Sequence, residues 1–206
     1  MYSKYTGIIL KKYSLGEADE LLTIFTRETG KIRVKAVSSR KIQSRLAGHL
    51  QSLNEIEFET ARRRREGGLA VLISVRALTL NNYLRENLKK FAYALIGVET
   101  LYRLTPDHEA NPEAYAVLRN FLRELDASSQ ENVILRRLQV KLLRIMGFGL
   151  DSPGAPIAQE IFGELEALAA GRALASLSSE TERTIEHFLD TVLEREIKSA
   201  NFLTSV

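Results

Sequence analysis

The sequence predicts an α+β protein with a small five-stranded barrel in residues 1–80 and an all-α domain in residues 81–206. Before residue 80, short apolar runs alternate with polar residues at the period of a β-strand. After residue 80, apolar residues recur every three or four positions, which is the period of an amphipathic helix. The 206 residues are 45% hydrophobic and 27% charged, a composition typical of globular domains.

Five apolar runs define the predicted strands, which are Thr6–Lys12, Leu21–Arg27, Lys31–Ser38, His49–Thr60 and Leu69–Arg76. The second and third strands are joined by Glu28-Thr29-Gly30, where glycine can adopt the positive φ of a tight hairpin turn. The insert Lys41–Leu50 follows the third strand and is long enough for a short helix or an ordered loop. Five short strands with one such insert favour a closed barrel.

Helical periodicity begins at Tyr83 and continues to Leu104, before Pro106. Asn111-Pro112 predicts the start of a second helix that runs to about Ala127, because asparagine caps helices and proline is favoured at their first position. Three further helices are predicted at Val133–Met146, from Pro156 to near Gly171, and after the capping box Ser179-x-x-Glu182.

The composition excludes several classes of function. The chain has no cysteine, so it can hold neither a disulfide nor a cysteine-ligated metal. Its three histidines, His49, His108 and His187, are too far apart for a local metal motif, and we expect no cofactor. No apolar run reaches the length of a membrane helix and no secretion leader is evident, so we expect a cytoplasmic protein with no membrane partner.

Positive charge is concentrated in the predicted barrel. Residues 1–80 hold 15 Lys and Arg against 8 Asp and Glu, a balance of +7, whereas the remainder of the chain has a balance of −4. No acidic residue lies between Glu28 and Glu55. This asymmetry predicts a polyanionic partner for the barrel. The candidate DNA-binding cations are Arg33, Lys35, Arg40, Lys41, Arg45, Arg62, Arg63, Arg64 and Arg65.

The third strand predicts how two of these cations are presented. Its apolar residues alternate with Arg33 and Lys35, so both basic side chains should face outward. Single-stranded nucleic acid is held by cations that follow the phosphates and by aromatic rings that stack on bases, and Tyr13 is the candidate ring. Tyr5 and Phe25 are further candidate rings, and Phe25 could equally belong to the core. About six phosphate contacts would give a slope of about −4 for log affinity against log salt.

Two rival functions stay open on these residues. The chain could be a non-catalytic protein–protein adaptor whose basic surface is incidental. It could also be a nuclease or hydrolase that uses Glu17, Asp19 and Glu20, since paired carboxylates hold magnesium or perform acid–base chemistry. These three residues lie in a predicted turn, where a solvated turn is the simpler interpretation. We therefore expect no enzymatic activity.

Several segments resemble the bacterial RecO family of recombination mediators. The most specific is Tyr13–Lys31, YSLGEADELLTIFTRETGK, which matches the family's N-terminal signature. Ser38–Leu46, SSRKIQSRL, is similar to its basic segment, and Gly68-Leu69 is similar to the start of its last barrel strand. Leu193–Ser199, LEREIKS, resembles its closing helix. The match is close from about residue 5 to residue 80 and looser beyond.

The resemblance implies an OB-fold barrel followed by a helical domain. It implies a mediator of the RecF pathway that binds single- and double-stranded DNA, anneals complementary strands and helps load RecA onto DNA coated by single-strand-binding protein. The implied partners are RecR and the acidic, apolar C-terminal tail of single-strand-binding protein. The implied location is the bacterial cytoplasm, in association with the nucleoid.

The helical domain departs from the family in one respect and offers a candidate partner site. Many members carry a four-cysteine zinc element that would fall at about residues 149–171, and this cysteine-free chain lacks it. Arg137, Lys141 and Arg144 lie at positions i, i+4 and i+7 and should form one cationic stripe beside apolar residues. Such a stripe suits an acidic peptide with an apolar end, although it would equally suit a solvated helix face.

Overall fold

A computed structural model describes residues 2–41, 44, 46, 48–62, 68–148, 159–193 and 199. Within these residues the chain forms five strands, β1 (Tyr2–Leu15), β2 (Asp19–Thr26), β3 (Gly30–Ala36), β4 (Glu55–Ala61) and β5 (Ala70–Thr79). The helices of the same residues are α1 (Asn82–Glu86), α2 (Leu88–Leu104), α3 (Pro112–Ala127), α4 (Glu131–Ile145), α5 (Gln159–Ala169) and α6 (Ser179–Leu193). None of these helices is both long and apolar enough to cross a membrane.

The five strands form a closed barrel in the order β1-β2-β3-β5-β4, and β3 and β5 pair in parallel. The long strand β1 closes the barrel because it pairs with β2 through one part and with β4 through the other. A path that steps from each residue to its partner on the next strand runs once around the barrel through Tyr13, Leu21, Lys35, Val71, Ala61 and Tyr2. The path starts on β1 at Tyr13 and returns to β1 at Tyr2, which lies eleven residues earlier in the sequence. Barrel closure requires such a stagger between strands. The predicted fold class, an OB-fold barrel followed by helices, is confirmed.

The barrel core is filled from every strand and from the connection between β3 and β4. Ile32, Val34 and Ala36 of β3 point into it, as the alternating pattern predicts. Leu50, in the connection, is also a core residue. The predicted strand His49–Thr60 is wrong in its first half, because β4 begins only at Glu55 and Leu53 has a φ of +74° that is incompatible with a strand.

A segment from the second half of the chain belongs to the barrel. The first compact unit comprises residues 1–82 and 105–115, and the second comprises residues 83–104 and 116–206. The Nζ of Lys31 donates to the Thr105 carbonyl at 2.8 Å, and the N–H of His108 donates to the Lys31 carbonyl at 3.0 Å. Gly30 has a φ of +69°, and a Cβ there would lie 1.8 Å from the Glu109 carbonyl oxygen. The predicted boundary near residue 80 assigns residues 105–115 to the helical domain, whereas the first compact unit contains them together with the barrel.

One predicted helix is divided into two in the structure, and the predicted start of another lies outside the described residues. The helix predicted from Tyr83 is interrupted at Asn87, whose side chain accepts a hydrogen bond from the Lys90 N–H at 3.0 Å. The predicted start at Pro156 lies outside the described residues, and α5 is described from Gln159 onward.

The helix caps follow local sequence closely. The capping residue of α6 is Ser178 rather than the predicted Ser179, because the Ser178 hydroxyl accepts the Thr181 N–H at 3.2 Å. The predicted cap of α3 is confirmed, since the Asn111 side chain accepts the Ala114 N–H at 2.9 Å. A serine or asparagine oxygen thus satisfies a free N–H at the start of each of these helices.

Three helices of the second unit approach one another closely at Gly97. A Cβ added to this residue of α2 would lie 2.5 Å from the ring of Phe121 on α3 and 2.7 Å from Leu138 on α4. Both neighbouring side chains are buried. The absence of a side chain at Gly97 therefore sets how closely these helices pack.

A buried carboxylate joins α2 to a residue near the end of the sequence. Glu99 accepts the Ser199 N–H at 2.7 Å and also the Ser199 hydroxyl, and Arg103 donates to its other oxygen. Burial alone would raise the pKa of Glu99, but these hydrogen bonds outweigh burial and hold that pKa below its usual value. Ser199 belongs to the closing motif found in the sequence, and this contact gives that motif a structural role.

We predict that Gly97→Ala lowers the free energy of unfolding by about 1–3 kcal/mol, because the new methyl group overpacks the core. The matched control is Gly163→Ala in α5, where a Cβ would meet no atom within 4 Å. That control should raise the free energy of unfolding by up to about 1 kcal/mol, since alanine is the better helix former. Urea unfolding followed by circular dichroism measures both variants, and equal effects would contradict the close approach at Gly97.

We predict that Glu99→Gln lowers the free energy of unfolding by about 1–3 kcal/mol at pH 7, because it weakens charge-assisted hydrogen bonds at a buried group. The folded pKa lies below the ordinary value of 4.5, so the carboxylate contributes fully above pH 4.5 and loses its contribution as pH falls through the folded pKa. The difference between wild type and Glu99→Gln should therefore shrink in acid. The exposed control Asp190→Asn should change stability by less than about 0.5 kcal/mol at either pH, and a pH-independent difference for Glu99→Gln would refute this role.

Candidate nucleic-acid interface

The outer face of β1, β2 and β3 carries two rows of paired residues. Lys11, Thr23 and Arg33 are direct neighbours across the three strands. The next row consists of Tyr13, Leu21 and Lys35. Because directly paired residues project from the same side of a sheet, this outer face, which we call the β1–β3 face, combines three cations with an exposed tyrosine.

A register shift in β1 creates this arrangement. Before the shift, Ile9 points into the barrel core. After the shift, Lys12 is the partner of the core residue Leu22 and therefore lies on the inward side of the strand. The shift between Ile9 and Lys11 therefore turns Lys11 and Tyr13 outward. A strict two-residue alternation from Ile9 would have turned both inward. Sequence reasoning did not include Lys11 among the candidate cations, and only the register shift in the structure places it on this face.

Arg33 projects outward, as predicted, and faces an acidic side chain. Its Nη2 lies 3.8 Å from Oδ2 of Asp107, and the two side chains are 54% and 46% exposed. The other oxygen of Asp107 lies 3.2 Å from the Nζ of Lys31, which is buried. A long and exposed ion pair such as Arg33–Asp107 contributes about 1 kcal/mol or less, so another anion can replace the carboxylate.

Lys35 is also engaged by a carboxylate. Its Nζ lies 2.8 Å from Oδ2 of Asp19, whose other oxygen accepts the Ser38 N–H at 2.8 Å. The hydrogen bond from Lys35 and that from Ser38 hold the pKa of Asp19 below its usual value, with a further contribution from the charge of Lys41. Asp19 is therefore ionised at neutral pH and partly neutralises this end of the face.

Arg40 and Lys41 extend the cationic surface beyond the end of β3. The Arg40 N–H donates to the Ala18 carbonyl at 3.0 Å, and its guanidinium donates to the carbonyls of Gly16 and Glu17 at 3.2 and 3.3 Å. These bonds fix Arg40 against the β1–β2 turn without involving a carboxylate. Both side chains are exposed, and neither pairs with a carboxylate among the residues that the structure describes.

The connection between β4 and β5 is only partly described. Arg62 is exposed, and its Nε donates to the Gly68 carbonyl at 3.2 Å. The predicted arginine cluster is therefore placed only through Arg62. The remaining candidate cations lie outside the described residues, and these are Arg45, Arg63, Arg64 and Arg65.

The outer side of β4 has the opposite character. Glu57 lies between Lys4 and Arg76, at 3.3 and 3.5 Å, and the pKa of Glu57 is held below its usual value by Lys4 and then by Arg76. Glu59 accepts a hydrogen bond from Ser74 at 3.2 Å. Cations on this side are matched by acids of the same sheet, so among the described residues the β1–β3 face with its flanking turns is the more cationic side of the barrel.

Tyr13 is the aromatic side chain that remains available on the β1–β3 face. It is 55% exposed, whereas Phe25 is completely buried. Tyr5 packs against Phe58 with ring centroids 5.4 Å apart. The other two candidate rings for base stacking, Tyr5 and Phe25, are therefore packed within the protein.

The acidic cluster of the β1–β2 turn does not converge on one point. Asp19 and Glu20 are successive residues of β2 and face opposite sides of the sheet. Glu20 is buried and binds the Ser39 hydroxyl at 2.8 Å and the Lys12 Nζ at 3.1 Å. Glu17 is exposed in the turn. Both strand carboxylates are engaged in structural contacts, and the expectation of a simple solvated turn holds only for Glu17.

The helical unit contains a groove between α3 and α4. Arg137 and Lys141 line it, together with apolar residues such as Phe121 and Leu138. Arg137 donates to Glu124 at 2.7 Å, which fixes its guanidinium at the wall of the groove. Arg144 is not among the lining residues, and its guanidinium pairs with Glu166 of α5. The structure therefore brings together two of the three residues of the predicted stripe.

Fold and site define a class of protein that has an OB-type barrel with one cationic outer face and a helical unit. A family model for the N-terminal part of recombination protein O matches residues 1–80, and a model for its C-terminal part matches residues 85–152. The chain therefore belongs to the RecO family, which confirms the resemblance found in the sequence.

Individual relatives agree with this assignment. A DNA repair protein RecO of Dehalococcoides mccartyi CBDB1 is 34% identical over 70% of this chain and 56% of its own length. The RecO protein of Myxococcus xanthus DK1622 is 33% identical over 68% of this chain and 57% of its own length. The chain thus spans little more than half of these two relatives. A RecO protein of Roseiflexus sp. RS-1 is 27% identical over 97% of this chain and 84% of its own length.

Proposed function

We propose that this chain binds DNA strands on the β1–β3 face and brings complementary strands together during DNA repair and recombination, without changing a covalent bond. The observation that carries the proposal is the clustering of Lys35, Arg40 and Lys41 around the β1–β2 turn, next to the exposed ring of Tyr13. Cations beside an exposed aromatic ring are what single-stranded nucleic acid requires. Membership of the RecO family supports this assignment.

The proposed mechanism is electrostatic. Two strands repel each other through their phosphates, and in about 0.15 M salt this repulsion is screened only beyond about 8 Å. Cations that neutralise phosphates allow two strands to approach more closely, after which base pairing completes the annealing. Tyr13 would hold an unpaired base by stacking. Asp19 and Glu20, on opposite faces of β2, give no basis for a catalytic carboxylate pair.

A mediator also requires protein partners, and the α3–α4 groove is the proposed site for one of them. Lys141 lies in this groove beside apolar side chains and pairs with no carboxylate among the described residues. Such a site suits the C-terminal tail of single-strand-binding protein, which is acidic and apolar. RecR is the second proposed partner, and the proposed outcome is the loading of RecA in the RecF pathway within the bacterial nucleoid.

A non-catalytic adaptor role is the second candidate. It is favoured by the engagement of Arg33 and Lys35 with Asp107 and Asp19, which lowers the net positive charge of the face. An adaptor would show no salt-sensitive binding to oligonucleotides. A salt titration with a labelled single-stranded oligonucleotide therefore separates the two functions.

We predict that the double variant Arg40→Gln/Lys41→Gln binds a labelled single-stranded oligonucleotide about 50-fold more weakly in about 50 mM salt, because two phosphate contacts are lost. The slope of log affinity against log salt should become shallower by about 1.4. Fluorescence anisotropy measures both quantities, and the rate of annealing of two complementary oligonucleotides should fall in parallel.

The matched control is Lys4→Gln/Arg76→Gln, which removes the same two charges from the side of the barrel that carries Glu57. Its binding slope should change by less than about 0.5, because those cations do not contact phosphate. Equal losses in the two double variants would show that net charge alone attracts DNA. An unchanged affinity of Arg40→Gln/Lys41→Gln would exclude this interface.

We predict that Lys141→Gln weakens binding of a peptide copying the acidic tail of single-strand-binding protein by about two- to fivefold, the range expected for one exposed charge pair. Isothermal titration with the full chain measures this affinity. Arg183→Gln, at an exposed position of α6, removes an equal charge and should leave it unchanged. The groove is the wrong site if both variants bind the peptide like wild type.

A further inference from the structure

Two acidic side chains from different parts of the sequence contact successive outward cations of β3. Asp107 comes from the segment that follows α2 and lies 3.8 Å from Arg33. Asp19 comes from the start of β2 and lies 2.8 Å from Lys35. Each carboxylate presents an anionic oxygen to the cation in the way that a phosphate oxygen would.

Asp107 is held in this position by its backbone and by its second oxygen. Residues Lys31 and Asp107 form a parallel β-bridge, and the His108 N–H donates to the Lys31 carbonyl. The buried Nζ of Lys31 binds Oδ1 of Asp107 at 3.2 Å. These contacts fix the carboxylate at the edge of the β1–β3 face while Oδ2 points toward Arg33.

We propose that Asp107 and Asp19 are intramolecular competitors of phosphate, which occupy Arg33 and Lys35 until a DNA strand displaces them. The inference rests on the proposed function and adds two affinity-determining residues that are themselves acidic. A strand must replace both carboxylates to engage both cations. Binding to this face is therefore weaker than its number of cations implies, and a strand that has found its complement is released more readily.

The geometry distinguishes competition from simple structural support. Arg33 and Asp107 are both about half exposed, and their separation of 3.8 Å is at the outer limit of an ion pair. Such a pair contributes little to stability, so its presence does little to hold the fold together. The structural contact of Asp107 is the one with buried Lys31, and asparagine retains an oxygen that can accept this hydrogen bond.

The test is a titration of the full chain with a labelled single-stranded oligonucleotide in about 50 mM salt. Asp107→Asn should bind about two- to fivefold more tightly than wild type, the factor that corresponds to one exposed ion pair. On the background of Arg33→Gln the same substitution should give no gain, because the competing pair is already absent. Asp19→Asn should also tighten binding, and this gain should vanish on the background of Lys35→Gln.

Glu59→Gln is the matched control, because it removes one negative charge from the outer side of β4. It should leave affinity nearly unchanged. Equal tightening by Glu59→Gln and Asp107→Asn would overturn the inference in favour of a general charge effect. Loss of affinity in Asp107→Asn, with normal folding by circular dichroism, would show that the carboxylate supports the binding surface rather than competing for it.

The two proposals fail in different ways. If wild type does not bind the oligonucleotide in a salt-sensitive manner, the proposed function fails. If wild type binds but neither aspartate variant gains affinity, only the competition fails. Should Asp107→Asn not fold because of Lys31, the Asp19→Asn and Lys35→Gln pair decides alone, since the amide oxygen that Asp19→Asn introduces can still accept the Ser38 N–H.

Discussion

The pairing of one long strand with two neighbours is the constraint on which the barrel depends. β1 pairs with β4 through its first half and with β2 through its second, and the register shift between Ile9 and Lys11 allows both sets of pairings. The same shift reverses which residues face outward. Barrel closure and the presentation of Lys11 and Tyr13 on the β1–β3 face therefore have one structural cause, and a strand without the shift would bury both side chains.

Charge on this barrel is organised by contacts that are distant in sequence. On the β4 side, Lys4 and Arg76 share Glu57, an acid of the adjoining strand. On the β1–β3 face, Arg33 faces Asp107, which comes from beyond α2. An exposed ion pair is weak in water and competes poorly with a polyanion that brings several phosphates at once. Surface pairing therefore reduces the positive charge of this face without abolishing it.

Local period and local turn chemistry determine how much of the fold and the site was predictable. Alternation correctly placed Val34 inside the barrel and Arg33 outside it. Prediction failed where tertiary contacts override local preference, because the strand-like run before Glu55 forms a loop whose Leu50 fills the core. The number and sign of the site's cations follow from composition, whereas their partners do not. No single-sequence pattern connects Arg33 with Asp107, since nothing local marks the segment after α2 as part of the barrel.

Buried and exposed cations on the same strand show that burial, rather than charge alone, decides which cation is accessible to an anion. Lys31 and Arg33 are two residues apart on β3 and share Asp107, yet the ammonium of Lys31 is enclosed and the guanidinium of Arg33 is half exposed. Removing the partner of an enclosed charge leaves an ion without solvation. The pair between Lys31 and Asp107 therefore contributes to the stability of the fold. Arg33 carries no such penalty, because water or phosphate can replace the carboxylate at its surface. A single aspartate can thus anchor the segment through one oxygen and regulate access to a cation through the other, and this division of roles follows from the difference in solvation between two neighbouring side chains.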